Sequence, residues 1–107
     1  RTLRERKALM EDKADAFIAL PGGFGTFEEL LEIIALRQLG YHKRPVAILN
    51  VNGYYDGLIA QFDRAVEQRF SAPEALSVFG VFGTVKETLN YIETYQPTEY
   101  VKNRLFK

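Results

Sequence analysis

The chain has 107 residues, 47% of them hydrophobic and 26% charged, the proportions of an ordinary folded domain and not of a disordered segment. With 14 basic and 14 acidic residues the net charge is zero, so any anion site must be local, and neither general nucleic-acid binding nor adsorption to a membrane surface is expected. There is no cysteine, which excludes a disulfide framework and a thiolate metal site. No apolar run approaches the roughly 20 residues of a membrane span, and the expectation is an intracellular, cytoplasmic protein.

Residues 2 to about 13 read as a helix, with Leu3, Met10 and Ala14 at helical spacing on one side. Arg6 falls on that same inward side. It reads either as a stem laid over apolar surface with its head in water, or as a planar guanidinium aimed at a phosphate or carboxylate. Lys7 reads as a second, peripheral charge.

Phe17-Ile18-Ala19-Leu20 is apolar at every position, as in a parallel strand covered on both faces. Directly after it comes Pro21-Gly22-Gly23-Phe24-Gly25-Thr26-Phe27-Glu28-Glu29, and then the helix-forming run Leu30 to Leu39. This is the turn from a buried strand into a helix. The first helical turn has amides without partners and carries the positive end of the macrodipole, so it suits a phosphate. Glycines at 22, 23 and 25 let such a group approach the backbone. Thr26 is expected at the N-cap. Thr26-x-x-Glu29 then reads equally as a capping box or as a hydroxyl and a catalytic acid beside the loop. The loop also admits a plainer reading, a tight turn of glycines chosen for geometry alone. Its spacing matches neither a Walker loop, which requires a lysine, nor the dinucleotide fingerprint, which requires a third glycine where Glu28 stands.

The helix from about Thr26 to Leu39 has Leu30, Leu31, Ile33, Ile34, Ala35, Leu36 and Leu39 around most of its circumference. A helix apolar on nearly all sides is buried on more than one, and a partner subunit is the expected second surface. His42 lies in the loop after Gly40 and is assigned no role. Val46 to Val51 is the second strand, ended by Asn52-Gly53. Tyr54 to Arg69 is a helix with Leu58, Ile59, Phe62, Ala65 and Val66 inward, and Asp56 is an acid in its first turn. A short helix or turn opens at Ser71, a weaker strand lies around Val78 to Phe82, and a helix over Thr84 to Tyr95 starts with a Thr84-x-x-Glu87 capping box. Residues 98–107 are expected to form a last short helix.

Strand and helix alternate, which favours an α/β fold: a Rossmann-like parallel sheet with flanking helices. Only Val46 to Leu49 is an equally convincing neighbour for the first strand. Residues 1–107 are therefore expected to be a single partial nucleotide-binding domain, the C-terminal part of a larger doubly wound one. Its N-terminal strands are expected to be absent from this chain or supplied by a companion chain.

Pro21-Gly22-Gly23-x-Gly25-Thr26-x-x-Glu29, with Arg6-Lys7 upstream, resembles the signature of the LOG family, the cytokinin riboside 5′-monophosphate phosphoribohydrolases formerly labelled lysine decarboxylases. The resemblance continues through Gln38 to His42, Arg44 to Val46 and Leu49 to Asp56. It implies hydrolysis of the N-glycosidic bond of an N6-modified adenosine 5′-monophosphate, with no cofactor, in a homodimer. By the same resemblance Arg6 and Glu29 are catalytic, and Arg6, Lys7, Gly22, Gly23, Phe24, Gly25, Thr26, Phe27 and Glu28 bind the substrate. Ala35 and Leu36 stand where many relatives have threonine and tryptophan, which implies a different pocket for the base. The rival reading is a non-catalytic module that holds a nucleotide phosphate. Nothing marks a lysine placed for a pyridoxal Schiff base.

Overall fold

The computed structural model describes residues 2, 4, 5 and 14–96. Arg6 and Lys7, the rest of the expected first helix and the expected helix over 98–107 lie outside the described residues. The start of the first helix is in view. Thr2 Oγ1 accepts the Glu5 N–H at 3.1 Å, and Glu5 Oε1 accepts the Thr2 N–H at 2.8 Å, a reciprocal capping box.

Three strand-and-helix units follow: β1 (Phe17–Ala19) with α1 (Phe24–Gln38), β2 (Val46–Leu49) with α2 (Asp56–Glu67), and β3 (Gly80–Phe82) with α3 (Val85–Glu93). Short 3-10 turns at Val51–Gly53 and Pro73–Val78 lie before and after α2. The strands form one parallel sheet in the order β1-β2-β3, with Phe17 opposite Val46 and Ile48 opposite Val81. Because alternate strand residues face opposite sides, each face gathers its own helices. Phe17, Ala19, Val46 and Ile48 cluster with Leu30, Ile33 and Ile34 of α1, and Leu58, Ile59 and Phe62 of α2 pack against that cluster. On the other face α3 packs on β2 and β3, and the Phe82 ring meets Tyr91 at 4.9 Å. The expected α/β, Rossmann-like arrangement is what the chain adopts.

Val46, Ala47 and Ile48 are fully buried, as a central strand covered on both faces requires. β1 departs from the expectation drawn from its apolar run. Ile18 is 41% and Leu20, just past the strand's end, 57% exposed, and β1 pairs only with β2 among the described residues.

The predicted stripe on α2 holds, with Asp63, Arg64, Glu67 and Gln68 exposed on its outer side. α3 begins as predicted, with the Glu87 N–H donating to Thr84 Oγ1 at 3.2 Å. The Glu87 carboxylate accepts from the Thr84 hydroxyl at 3.0 Å, where the usual capping box would have it accept from the backbone. Val78 belongs to the 3-10 turn opened by Pro73, so the third strand is shorter than its apolar run suggested.

α1 ends in a Schellman motif: the Tyr41 N–H reaches Leu36 O at 2.9 Å and the Gly40 N–H reaches Arg37 O at 3.1 Å. Gly40 takes the left-handed conformation this requires, with φ at 86°. Arg37, in the last turn, is 2% exposed. Its Nη2 donates to the Tyr95 hydroxyl at 3.2 Å, a burial the apolar count of this helix did not foresee.

Candidate functional site: the glycine loop and the β1 edge

α1 starts at Phe24, two residues before the expected Thr26, with Gly23 as its N-cap and no side chain bonded at the cap. The first helical bond runs from the Phe27 N–H to Gly23 O at 3.0 Å. The amides of Phe24, Gly25 and Thr26 therefore precede the intrahelical ladder. No acidic side chain occupies this first turn, so the turn itself places no counter-charge on the positive end of the helix dipole.

With the helix starting at Phe24, the capping-box reading of Glu29 does not hold. Thr26 sits inside the first turn and Glu29 one turn beyond it, so they form no capping box. Both line a cleft of about 230 Å³ along β1, with Ala16, Ile18 and Ile33 among its walls. Glu29 is half-buried there, and its carboxylate has no hydrogen-bond or ion-pair partner among the described residues.

The remaining predicted site residues divide. Phe24 is 90% exposed at the helix start, and Glu28 is exposed. Phe27 turns inward, packed against the core with its ring edge-on to Tyr55 at 6.1 Å. The glycines differ in what surrounds them. A Cβ on Gly22 would lie 2.3 Å from Thr26 Oγ1 and 3.0 Å from Thr26 Cβ, whereas one on Gly23 or Gly25 would meet nothing within 4 Å. Gly22 is needed for the protein's own packing. Gly23 and Gly25 leave open space beside the amides that precede the ladder.

Two tyrosines hold this loop from below. Tyr55, 1% exposed, donates its hydroxyl to Leu20 O at 2.5 Å, and the Tyr54 hydroxyl donates to Gly22 O. Burial, and then the neighbouring Tyr54, push the Tyr55 phenol above its ordinary value, which keeps it a donor. Asn50 fixes the pair from the end of β2. Its Oδ1 accepts the Tyr55 N–H at 2.6 Å, its Nδ2 donates to Asp56 Oδ1 at 2.8 Å, and its own N–H reaches Phe82 O at 2.7 Å. Sequence reasoning gave these side chains no role. Tyr54 and Tyr55 lie 32 and 35 residues from their acceptors, and only the parallel pairing of β1 with β2 brings them together.

At the opposite end of the same two strands His42 has a role that the sequence did not reveal. Its Nε2 meets Ile33 O at 3.1 Å, its Nδ1 accepts the Arg44 N–H at 3.2 Å, and its ring lies 5.4 Å from Phe17. These partners fit a neutral ring with the proton on Nε2. Burial is the largest influence on its pKa and pushes it below 6.5.

A family model described as "possible lysine decarboxylase" matches residues 1–92. Among curated proteins, the chain is 52% identical over 95 residues to a probable cytokinin riboside 5′-monophosphate phosphoribohydrolase of Oryza sativa subsp. japonica. It is 50% and 48% identical to two cytokinin riboside 5′-monophosphate phosphoribohydrolases of Arabidopsis thaliana. Each match covers 89% of this chain but only 38%, 44% and 45% of the respective relative, so the chain spans less than half the length of these proteins. The chain belongs to the possible lysine decarboxylase family, and its resemblance within it is to the LOG phosphoribohydrolases.

Proposed function

We propose that the whole protein hydrolyses the N-glycosidic bond of N6-modified adenosine 5′-monophosphates, adding water at C1′ and releasing the free base and ribose 5-phosphate. The observation that carries this reading is the juxtaposition on α1. The amides of Phe24, Gly25 and Thr26, which precede the helical ladder and have no side-chain cap, offer a phosphate seat, and the Glu29 carboxylate, without a partner among the described residues, lines a cleft with Thr26. Three residues of helix separate Thr26 from Glu29, about 4.5 Å along the axis. A phosphate on the loop would anchor the substrate by a group that does not react. Glu29 would then stabilise the positive charge that develops on the ribose and activate the attacking water. Arg6 and Lys7 are assigned to the same substrate on the family resemblance, Arg6 either at the phosphate or at the departing base.

The open edge of β1 and the short coverage of the relatives support a larger domain, in which another segment completes the sheet and the second wall of the cleft. The exposed apolar side chains of α1, Phe24, Leu31 and Leu39, support a second copy of the protein as partner.

Incubating the full-length protein with N6-isopentenyladenosine 5′-monophosphate and assaying ribose 5-phosphate tests the proposal. Release is expected, and Glu29→Gln is expected to bind the nucleotide while losing on the order of 10²-fold or more in kcat. Binding without release by the unaltered protein would refute hydrolysis and establish the non-catalytic module.

A further inference from the structure

The glycine loop is a permissive stretch of backbone beside the proposed phosphate seat, and it is tied at its Gly22 carbonyl and at the Leu20 carbonyl just before it. Glycine backbones rotate freely, so a loop rich in them can present either N–H or C=O groups to an approaching anion. A carbonyl turned toward a phosphate repels it. Two tyrosine side chains bear on this orientation. Tyr55 takes the Leu20 carbonyl and Tyr54 takes the Gly22 carbonyl, on either side of the Pro21-Gly22 segment.

The peptide from Gly22 to Gly23 is trans and planar, so its N–H points opposite to its C=O. Holding the Gly22 carbonyl on Tyr54 therefore sends the Gly23 N–H to the far side of the loop, and a Cβ on Gly23 would stand in open space. The tyrosines are themselves fixed. Their rings meet edge to face at 5.1 Å, and Asn50 holds the Tyr55 backbone.

We propose that Tyr54 and Tyr55 are positioning residues that set the carbonyls of the glycine loop away from the substrate's phosphate, so that the loop meets the anion with amides already aligned. They touch no substrate; they act through the backbone they hold. This rests on the phosphate-loop reading given above and adds to it the groups that preorganise the loop. Alignment completed in the folded protein spares the binding step the cost of ordering the loop.

The test uses the full-length protein and titration calorimetry with adenosine 5′-monophosphate and with adenosine, which lacks the phosphate. The unaltered protein is expected to bind the monophosphate more tightly. Tyr54→Phe keeps the ring and removes only the hydroxyl of a side chain that is 50% exposed, so the fold and melting temperature should hold. Its affinity for the monophosphate is expected to fall about three- to tenfold, the worth of one hydrogen bond, with adenosine binding left at its wild-type level, measurable or not. Tyr55→Phe should act in the same direction.

A variant with the full wild-type affinity for the monophosphate would overturn the proposal, as would losses by the same factor for both ligands, which mark a merely structural role. An unaltered protein that shows no preference for the phosphorylated ligand would instead remove the phosphate-loop reading, and this proposal with it.

Discussion

Alanine replacement of Gly22 and Gly25, one at a time, separates a glycine the fold needs from one the proposed phosphate would need. At Gly22 the new methyl would stand 2.3 Å from Thr26 Oγ1 and 3.0 Å from Thr26 Cβ. Rotating the threonine side chain moves its hydroxyl but not its Cβ, so the loop or the first turn of α1 has to shift. Overpacking of this kind costs about 1–3 kcal/mol. At Gly25 the methyl meets nothing within 4 Å, and the residue is helical. Alanine is favoured over glycine in a helix by up to about 1 kcal/mol, so Gly25→Ala should stabilise the apoprotein. The same methyl stands among the amides that precede the helical ladder, where a phosphate would come closest. Its expected cost in affinity for adenosine 5′-monophosphate is on the order of tenfold, or about 1.4 kcal/mol. Urea unfolding and calorimetric titration of the full-length variants read the two effects separately. The stabilities should move in opposite directions while both variants bind more weakly. Wild-type affinity in Gly25→Ala would refute the placement of the phosphate, and unchanged stability in Gly22→Ala would refute the packing argument.

Three further outcomes follow from the geometry. Burial holds the His42 pKa below 6.5, so between the folded and unfolded values the unfolded chain binds more protons. Its contribution to stability is complete above about pH 6.5 and is lost as the pH falls through the folded value. His42→Gln should flatten that acid limb in urea midpoints measured from pH 7.5 to 5, and an unchanged limb would show that the ring is not what titrates. Arg69 closes α2 with φ at 68°, a left-handed conformation that strains a side chain with a Cβ. Arg69→Gly should gain about 0.5–1 kcal/mol in urea unfolding after the entropy of the freer chain is counted. Thr84→Ala removes the acceptor for the Glu87 N–H and should cost about 1 kcal/mol, which Thr84→Ser should largely restore.

What could be read from the residues was the local grammar. The all-apolar run at β2, the 3.6-residue stripe of α2 and the Thr84 cap each depend on neighbours a few positions away. The α1 start misled because Thr26 and Glu29 have the spacing of a capping box, while the true N-cap, Gly23, has no side chain to announce it. Burial of Arg37 depends on Tyr95, 58 residues on, and the Tyr54 and Tyr55 hydrogen bonds depend on strand pairing. A sequence pattern shows the helix that carries Arg37 but not what closes over it. For the same reason Glu29 could be placed on its helix from the sequence, while its position in the β1 cleft could not.

The vacant cap of α1 has a consequence for the protein's endurance as well as for its chemistry. A nucleotide bound there, as proposed, would supply the hydrogen-bond acceptors that no described side chain offers at the cap, and whatever binds only the native state shifts the unfolding equilibrium by mass action. At a hundred times its dissociation constant such a ligand contributes about 2.7 kcal/mol. On the proposed reading, a protein starved of nucleotide would melt earlier and yield faster to proteases, and its lifetime would follow the supply of its ligand.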